Sequence, residues 1–277
     1  MAKPESKSEA SSSNQTSNLD PAELAFIEQF KRDVEKAAKV LWETRVLSPS
    51  QTFQVYQRIP GQDKYVSAPY PSIWDDGEVK LSVSGFDGTV YLGKSQGPAP
   101  GRYSRIFIKH PHITTVIHAH TNALGSWASS HRSFPIRYVP ITRANVSKEL
   151  PIYIDRRQAE QDFINERLVD DPHLEAVVEA NGGSTFWGAG VINVVKRIIL
   201  IEEGAGYQLH AEALGGSKQY GPGVLEQQWR MGLVPKDVAA AALAAYYAAG
   251  GPQGYDGESG GAVRSVTAAS PSPAAKA

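Results

Sequence analysis

The stretch "VIHAHTNALGSW", residues 116–127, decides how this chain is read. An apolar, β-branched run ends in two histidines one residue apart, His118 and His120, and gives way at once to small residues. Residues two apart on a strand project from the same face, so the two imidazoles stand side by side. Such a pair can hold one divalent ion, and neutral imidazole suits zinc, iron, manganese or copper. A catalytic metal takes about three protein ligands and keeps a position open, so the pair needs a partner. By itself the pattern fits equally well two strand-end histidines bonded to backbone and water.

Composition narrows the chemistry. The chain has 277 residues, 41% of them hydrophobic, with a formal net charge of −1, enough for one substantial core. Neither a basic surplus nor a basic block offers electrostatic capture of nucleic acid, so a small metabolite is the better partner. The chain has no cysteine, which excludes disulfides, thiolate metal sites and cysteine nucleophiles; any metal here takes nitrogen or oxygen ligands. The opening "MAKPESKSEASSSNQTSNLD" lacks the apolar core of a signal peptide, and no run approaches the roughly 18–20 apolar residues that span a bilayer. A soluble cytoplasmic protein without membrane contact is expected.

Working outward from the histidines, residues 1–19 are rich in Ser, Asn and Glu and residues 250–277 in Gly, Ser, Ala and Pro, and both read as disordered tails around a single domain at 20–249. Asp20, Pro21 and Glu23 form a helix start, with Asp20 as cap and Glu23 at capping-box spacing, and the helix extends to about Thr44. Alternating β-branched and aromatic residues in "TFQVYQRI", "YVSA", "KLSVSG" and "FDGTVYLGK" predict antiparallel strands. A helix over 101–110 ends before Pro111, and "TTVIHAH" follows as a strand. Then come a short helix at "NALGSWASSH", strands at "IRYVPIT" and "PIYI", a helix over 156–168, and strand, turn, strand across "LEAVVEANGGSTFWGAG". A long helix over 191–214 stops at Gly215-Gly216, and two more helices occupy about 222–232 and 236–248. The whole predicts a mixed α/β domain.

The order of helix, antiparallel strands, "HPHITTVIHAHTNALGSWAS", "NGGSTFWGAG" and "RIILIEEGAGYQLHAEALGG" resembles the class II aldolase/adducin superfamily over about residues 22–235. The resemblance implies a three-layer α/β/α domain with a mostly antiparallel central sheet. It maps the family's metal pair onto His118 and His120. It also implies a ring-like homotetramer whose C-terminal helices reach a neighbour's site, which would bring in Gln228, Trp229 and Arg230.

Departures from the family pattern are informative. The family's third metal histidine falls on Gly182, which has no donor atom. The carboxylate that serves those aldolases as base falls near Ala99 and Pro100, and the phosphate-gripping segment is replaced by "SPSQTFQV". A phosphorylated sugar substrate does not suit this pattern. Retaining the pair while losing the third histidine favours a rebuilt, more open site. Within the superfamily the sequence resembles the CloR/NovR group of aminocoumarin-pathway oxygenases. That resemblance implies iron(II) and dioxygen acting on a prenylated 4-hydroxyphenylpyruvate, through a mandelate, to a prenylated 4-hydroxybenzoate. The substrate carries its own 2-oxo acid, so no separate 2-oxoglutarate is expected.

For the third metal ligand the candidate is His210, with Glu202 and Glu203 as alternative carboxylates. Trp127, Phe186 and Trp187 are candidates to line an apolar substrate pocket, with Trp229 beside them; each is equally a candidate for ordinary core packing. Arg102 is the first candidate to grip a substrate carboxylate, with Arg143 and Arg197 behind it. His110, His112, His131 and His173 fall before the strand or in turns. The competing functions are a zinc- or manganese-dependent aldolase, lyase or epimerase, and a metal-free adducin-like binding domain.

Overall fold

A computed structural model describes residues 19–69, 78–94, 101–232 and 234–248. The tails expected at 1–19 and 250–277 lie outside the described residues except for Leu19, and so do Ala99 and Pro100. The chain groups into two compact units, one formed by residues up to Phe134 together with Glu149–Gly206, the other by Pro135–Lys148 together with residues from Tyr207 onward.

The first unit opens on α1 (Pro21–Glu43), whose predicted capping box is present. The Glu23 N–H donates to Asp20 Oδ1 at 2.8 Å, and the Asp20 N–H donates to Glu23 Oε2 at 2.9 Å. Glu23 also accepts from Lys64 Nζ at 2.7 Å, so one carboxylate both caps the helix and ties it to the sheet. Strands β1 (Phe53–Arg58), β2 (Lys64–Pro69), β3 (Ser82–Gly85), β4 (Val90–Leu92), β5 (Thr115–Ala119), β8 (Ile152–Tyr153), β9 (Ala176–Glu179) and β10 (Ser184–Gly188) form one sheet in the order β4-β3-β2-β1-β5-β10-β9-β8. Every pairing is antiparallel except β8 with β9. The histidine strand β5 is central, flanked by β1 and β10.

Side-chain alternation divides this sheet into two faces. One carries Phe53, Val55, Ile117 and Phe186, all buried. The other carries Tyr56 and Tyr65, which meet Tyr103 and Phe107 of the region around α2 (Ser104–Lys109) with ring centroids 4.9 and 6.2 Å apart. Helix α5 (Glu160–Asp170) packs beside α2, while Lys64, pointing away from Tyr65, meets α1. Helices therefore flank a mostly antiparallel sheet, as the resemblance implied.

Helix α3 (Asn122–Ala128) follows β5, and the short elements β6 (Phe134–Pro135), α4 (Val139–Thr142) and β7 (Glu149–Leu150) come next. The strand expected at "IRYVPIT" is not there. Pro140 sits in the first turn of α4, where its fixed φ suits a helix and its missing N–H costs nothing. Helix α5 starts later than the predicted Arg156, because the Asp155 carboxylate takes the Arg157 N–H at 3.0 Å and holds a turn there. Helix α6 (Val191–Glu212) ends as predicted, with Gly215 and Gly216 at φ 96° and 92° and the Gly216 N–H returning to Ala211 O. In the second unit, α7 (Pro222–Gly232) and α8 (Lys236–Ala248) bury Leu225, Trp229 and Tyr246 together.

Candidate metal centre

Strand register builds the site. Gln54 on β1 and Thr185 on β10 both lie opposite His118, and Thr185 also lies opposite Val177 on β9. Two residues beyond Val177, alternation turns Glu179 to the same face. His120, one residue past the end of β5, also returns to that face, its N–H bonded to Thr52 O at 3.0 Å and its carbonyl to the Ser48 N–H at 2.9 Å. His118, His120 and Glu179 each offer a ligand atom, and these atoms lie within 4.8 Å of one another. The two imidazole centroids are 5.4 Å apart.

The third donor atom of this cluster is a carboxylate, and His210, the candidate from the sequence, is not among its members. His210 is exposed on α6, and among the described residues the cluster of donors within mutual reach contains Glu179 instead. The β9–β10 turn explains the exchange. Glu179 opens a tight turn in which its carbonyl accepts the Gly182 N–H and its N–H reaches Gly183 O, both at 2.9 Å. A Cβ on Gly182 would lie 2.7 Å from Glu179 Oε2, so a side chain there and the carboxylate compete for one space. A Cβ on Gly183 would lie 2.4 Å from His120 Cδ2. The two glycines therefore let the carboxylate and the imidazole approach.

The ring of His118 is fixed by a buried chain of hydrogen bonds. Its Nδ1 lies 2.9 Å from Thr185 Oγ1, and the Thr185 hydroxyl donates its single proton to Glu160 Oε1. The hydroxyl must then accept Nδ1–H, which leaves Nε2 with its lone pair free. Glu160 Oε2 accepts from the Tyr103 hydroxyl at 3.0 Å and from Arg102 Nη2 at 3.2 Å. Arg102 Nη1 and the Tyr56 hydroxyl both donate to Gln54 Oε1, at 3.0 and 3.2 Å.

The bare Nε2 faces Glu179 Oε2 at 3.7 Å. Burial first, then the nearby Arg102 and His120, pull the His118 pKa down to about 4 against the opposing pull of Glu160 and Glu179, so the imidazole is neutral at pH 7 and this contact is no ion pair. Burial pushes the Glu179 carboxyl up, but the bond from Arg156, the Arg156 charge and the Gly183 N–H outweigh it and hold the pKa low. Glu179 Oε1 is held by Arg156 Nη1, leaving Oε2 for the site. Two lone-pair donors face each other, an arrangement that a cation between them stabilises. Donors bound to one ion at about 2.0–2.2 Å are separated by roughly 3–3.5 Å, close to the spacing seen. The residues present fit a divalent metal.

Arg102 is next to this centre, but its guanidinium is spent on Glu160 and Gln54. Trp127 is buried against Phe134, its indole N–H donating to the Arg132 and Ser133 carbonyls. Trp187 shares the face of Thr185 and gives its N–H to Leu174 O at 2.7 Å, whereas Phe186 points to the opposite face. These three aromatics are core in the structure. Trp229 lies in the core of the second unit, where Arg143 is bonded to Gln228, and Arg197 pairs with Glu175. Glu202 is no metal ligand: its carboxylate accepts the Ala123 and Leu124 N–H groups at 2.5 and 2.9 Å and caps α3, the helix that follows the histidine strand.

Comparison with known proteins agrees with this architecture. Residues 80–209 match the class II aldolase and adducin N-terminal domain family. The structure is similar to an L-fuculose 1-phosphate aldolase, at TM-score 0.56 and 17% identity over 79% of this chain and 96% of that one. The chain has the class II aldolase fold. An L-fuculose 1-phosphate aldolase from Glaciozyma antarctica PI12 superposes with TM-score 0.57 at 14% identity, covering 85% of this chain and 94% of that one. An aldolase II superfamily protein from Pseudomonas syringae gives TM-score 0.53 at 14% identity, covering 83% and 92%. No curated protein sequence matches the chain.

Sequence reading missed Glu179, Thr185, Glu160 and Arg156. The signal for Glu179 was its parity: in "AVVE" before a Gly-Gly turn, a carboxylate ends the strand two hydrogen-bonded neighbours from the histidine strand.

Proposed function

We propose that this protein is an iron(II), dioxygen-dependent oxygenase that oxidatively decarboxylates an aromatic 2-oxo acid. The observation that carries this reading is the donor set of His118, His120 and Glu179. Two imidazoles and one carboxylate leave neighbouring coordination positions open, the arrangement associated with non-haem iron(II) oxygenases. Iron bound there would supply dioxygen binding and electron transfer.

The chain's own residues prepare for that chemistry. Thr185 and Glu160 present His118 Nε2 with its lone pair free, and Arg156 turns Glu179 Oε2 inward. A single carboxylate ligand leaves a divalent ion with net positive charge, which favours the two oxygens of an anionic 2-oxo acid. The balance closes without outside reductant: ArCH2–CO–COO− + O2 gives ArCH(OH)–COO− + CO2. The bond between carbonyl and carboxylate carbons breaks, one oxygen atom enters the new carboxylate and the other the benzylic hydroxyl. In a second round, ArCH(OH)–COO− + O2 gives ArCOO− + CO2 + H2O. Likeness to the CloR/NovR group supports a prenylated 4-hydroxyphenyl ring and a homotetrameric assembly. Among the described residues no helix is long and apolar enough to cross a membrane.

A metal-dependent aldolase or epimerase is the second reading, favoured by the fold shared with the fuculose phosphate aldolases. Against it stand the glycine at position 182 and the change of donor to Glu179. The experiment is to load the protein with iron(II) without air, add a prenylated 4-hydroxyphenylpyruvate, and record oxygen uptake and carbon dioxide release. One dioxygen consumed per carbon dioxide released supports the oxygenase. Aldehyde release supported by zinc or manganese, with no oxygen uptake, would replace it with the second reading.

A further inference from the structure

Gln54 stands beside the metal donors with half of its amide uncommitted. It lies opposite His118 in the pairing of β1 with β5, so its side chain shares the face of that imidazole. Its carboxamide oxygen accepts from Arg102 Nη1 at 3.0 Å and from the Tyr56 hydroxyl at 3.2 Å. A guanidinium can only donate, so the atom facing Arg102 is the oxygen and the amide is not free to flip. The Nε2 group has no acceptor among the described residues, on a side chain that is only half-buried.

The anchored oxygen also decides which way the N–H bonds point. Tyr56 is two residues further along β1 on the same face, level with Val116. Two residues in the other direction is Thr52, whose carbonyl accepts the His120 N–H at 3.0 Å. With its oxygen drawn toward Tyr56, the amide turns its NH2 group the opposite way along the strand, toward the level of His120 and the metal donors. Arg102 strengthens that donor. A charged group bonded to an amide oxygen polarises the amide and makes its N–H a better donor. Glu160 holds the guanidinium in place at 3.2 Å, so the positive charge of Arg102 acts on the site through Gln54.

We propose that Gln54 is a substrate-binding residue whose Nε2–H donates to a carboxylate oxygen of the 2-oxo acid at the metal centre, an assignment that rests on the 2-oxo acid reading of the site. Of the acid's two metal-binding ends, the carboxylate is the stronger acceptor, because it is charged. It therefore takes the β1 side beside Gln54, and the ketone takes the other. Gln54 thus fixes which way round the acid sits, a role that neither metal-binding histidine can fill.

The test is calorimetric titration of the full-length protein, loaded with zinc(II) so that no dioxygen is consumed, with a prenylated 4-hydroxyphenylpyruvate. Q54E keeps an oxygen for Arg102 and Tyr56 but replaces the donor with an acceptor, whereas Q54L removes both. Substrate affinity is expected to fall about ten- to a hundredfold in Q54L and at least as far in Q54E, the loss expected for one hydrogen bond to a charged group. The zinc(II) affinity of Q54L, titrated without substrate, is expected to stay within about twofold of the parent's. Substrate affinity unchanged in both variants overturns the assignment of Gln54 alone, and so does a loss of zinc(II) affinity in Q54L as large as its loss of substrate affinity. Parent protein that binds zinc(II) but not the 2-oxo acid overturns the assignment together with the reading it rests on.

Discussion

Replacing Thr185 by valine tests how the metal centre is organised. Thr185 is fully buried between β5 and β9, and valine keeps its shape while removing the hydroxyl. His118 Nδ1–H then loses its acceptor at 2.9 Å, and Glu160 Oε1 loses its donor. A buried polar group deprived of its partner costs about 1–3 kcal/mol. Glu160 keeps Tyr103 and Arg102, so the combined loss falls to roughly 2–4 kcal/mol of folding stability. The larger consequence concerns the ring. Without the hydroxyl, Nδ1–H is no longer favoured over Nε2–H, and a proton on Nε2 blocks the donor atom. Outer partners of metal-binding histidines are typically worth about 10–100-fold in metal affinity. Urea unfolding reads the first effect, calorimetric titration with zinc(II) the second, and 15N shifts of the His118 ring in metal-free protein the tautomer. Thr185→Ser, which retains the hydroxyl, is expected to restore all three. Metal affinity within twofold of the parent, with His118 still protonated on Nδ1 in the valine variant, would refute the reasoning.

Gly182→Ala is expected to reduce metal affinity at least about tenfold while the fold is kept, because its Cβ would meet Glu179 Oε2 at 2.7 Å; titration calorimetry with circular dichroism reads both. Arg156→Met frees Glu179 Oε1 and should weaken metal binding several-fold with stability altered by less than about 1 kcal/mol, since the arginine is half exposed. Glu202→Ala uncaps α3 and is expected to lower unfolding free energy by about 2–3 kcal/mol in urea melts, as two backbone N–H groups lose a carboxylate acceptor.

Much of this architecture was legible in local sequence. The Asp20 to Glu23 capping box, the alternation in "TFQVYQRI" and the Gly215-Gly216 stop are short-range signals, and each is found where it was read. His118 and His120 could be paired because strand geometry fixes residues two apart. The third donor could not be read in this way. Glu179 meets His118 only through the register of β5 on β10 and β10 on β9, a relation between strands separated by about sixty residues of chain that no local pattern encodes. The same holds for Thr185 and Glu160, ordinary polar residues in sequence that become a relay once α5 packs beside α2. His210 is the one histidine downstream in a segment expected to pack on this sheet, but its place on α6 is exposed. At "IRYVPIT" the β-branched residues outweighed Pro140 in the reading, whereas the proline decided the local structure.

The central claim is that one divalent ion is held by two histidines and a carboxylate. A crystal structure of the full-length protein loaded with iron(II) under anaerobic conditions tests it most directly. The account predicts one ion per chain bound by His118 Nε2, His120 and Glu179 Oε2, with Arg156 still on Glu179 Oε1. An ion bound without Glu179, or bound elsewhere while His118 and His120 stay unligated, would contradict it.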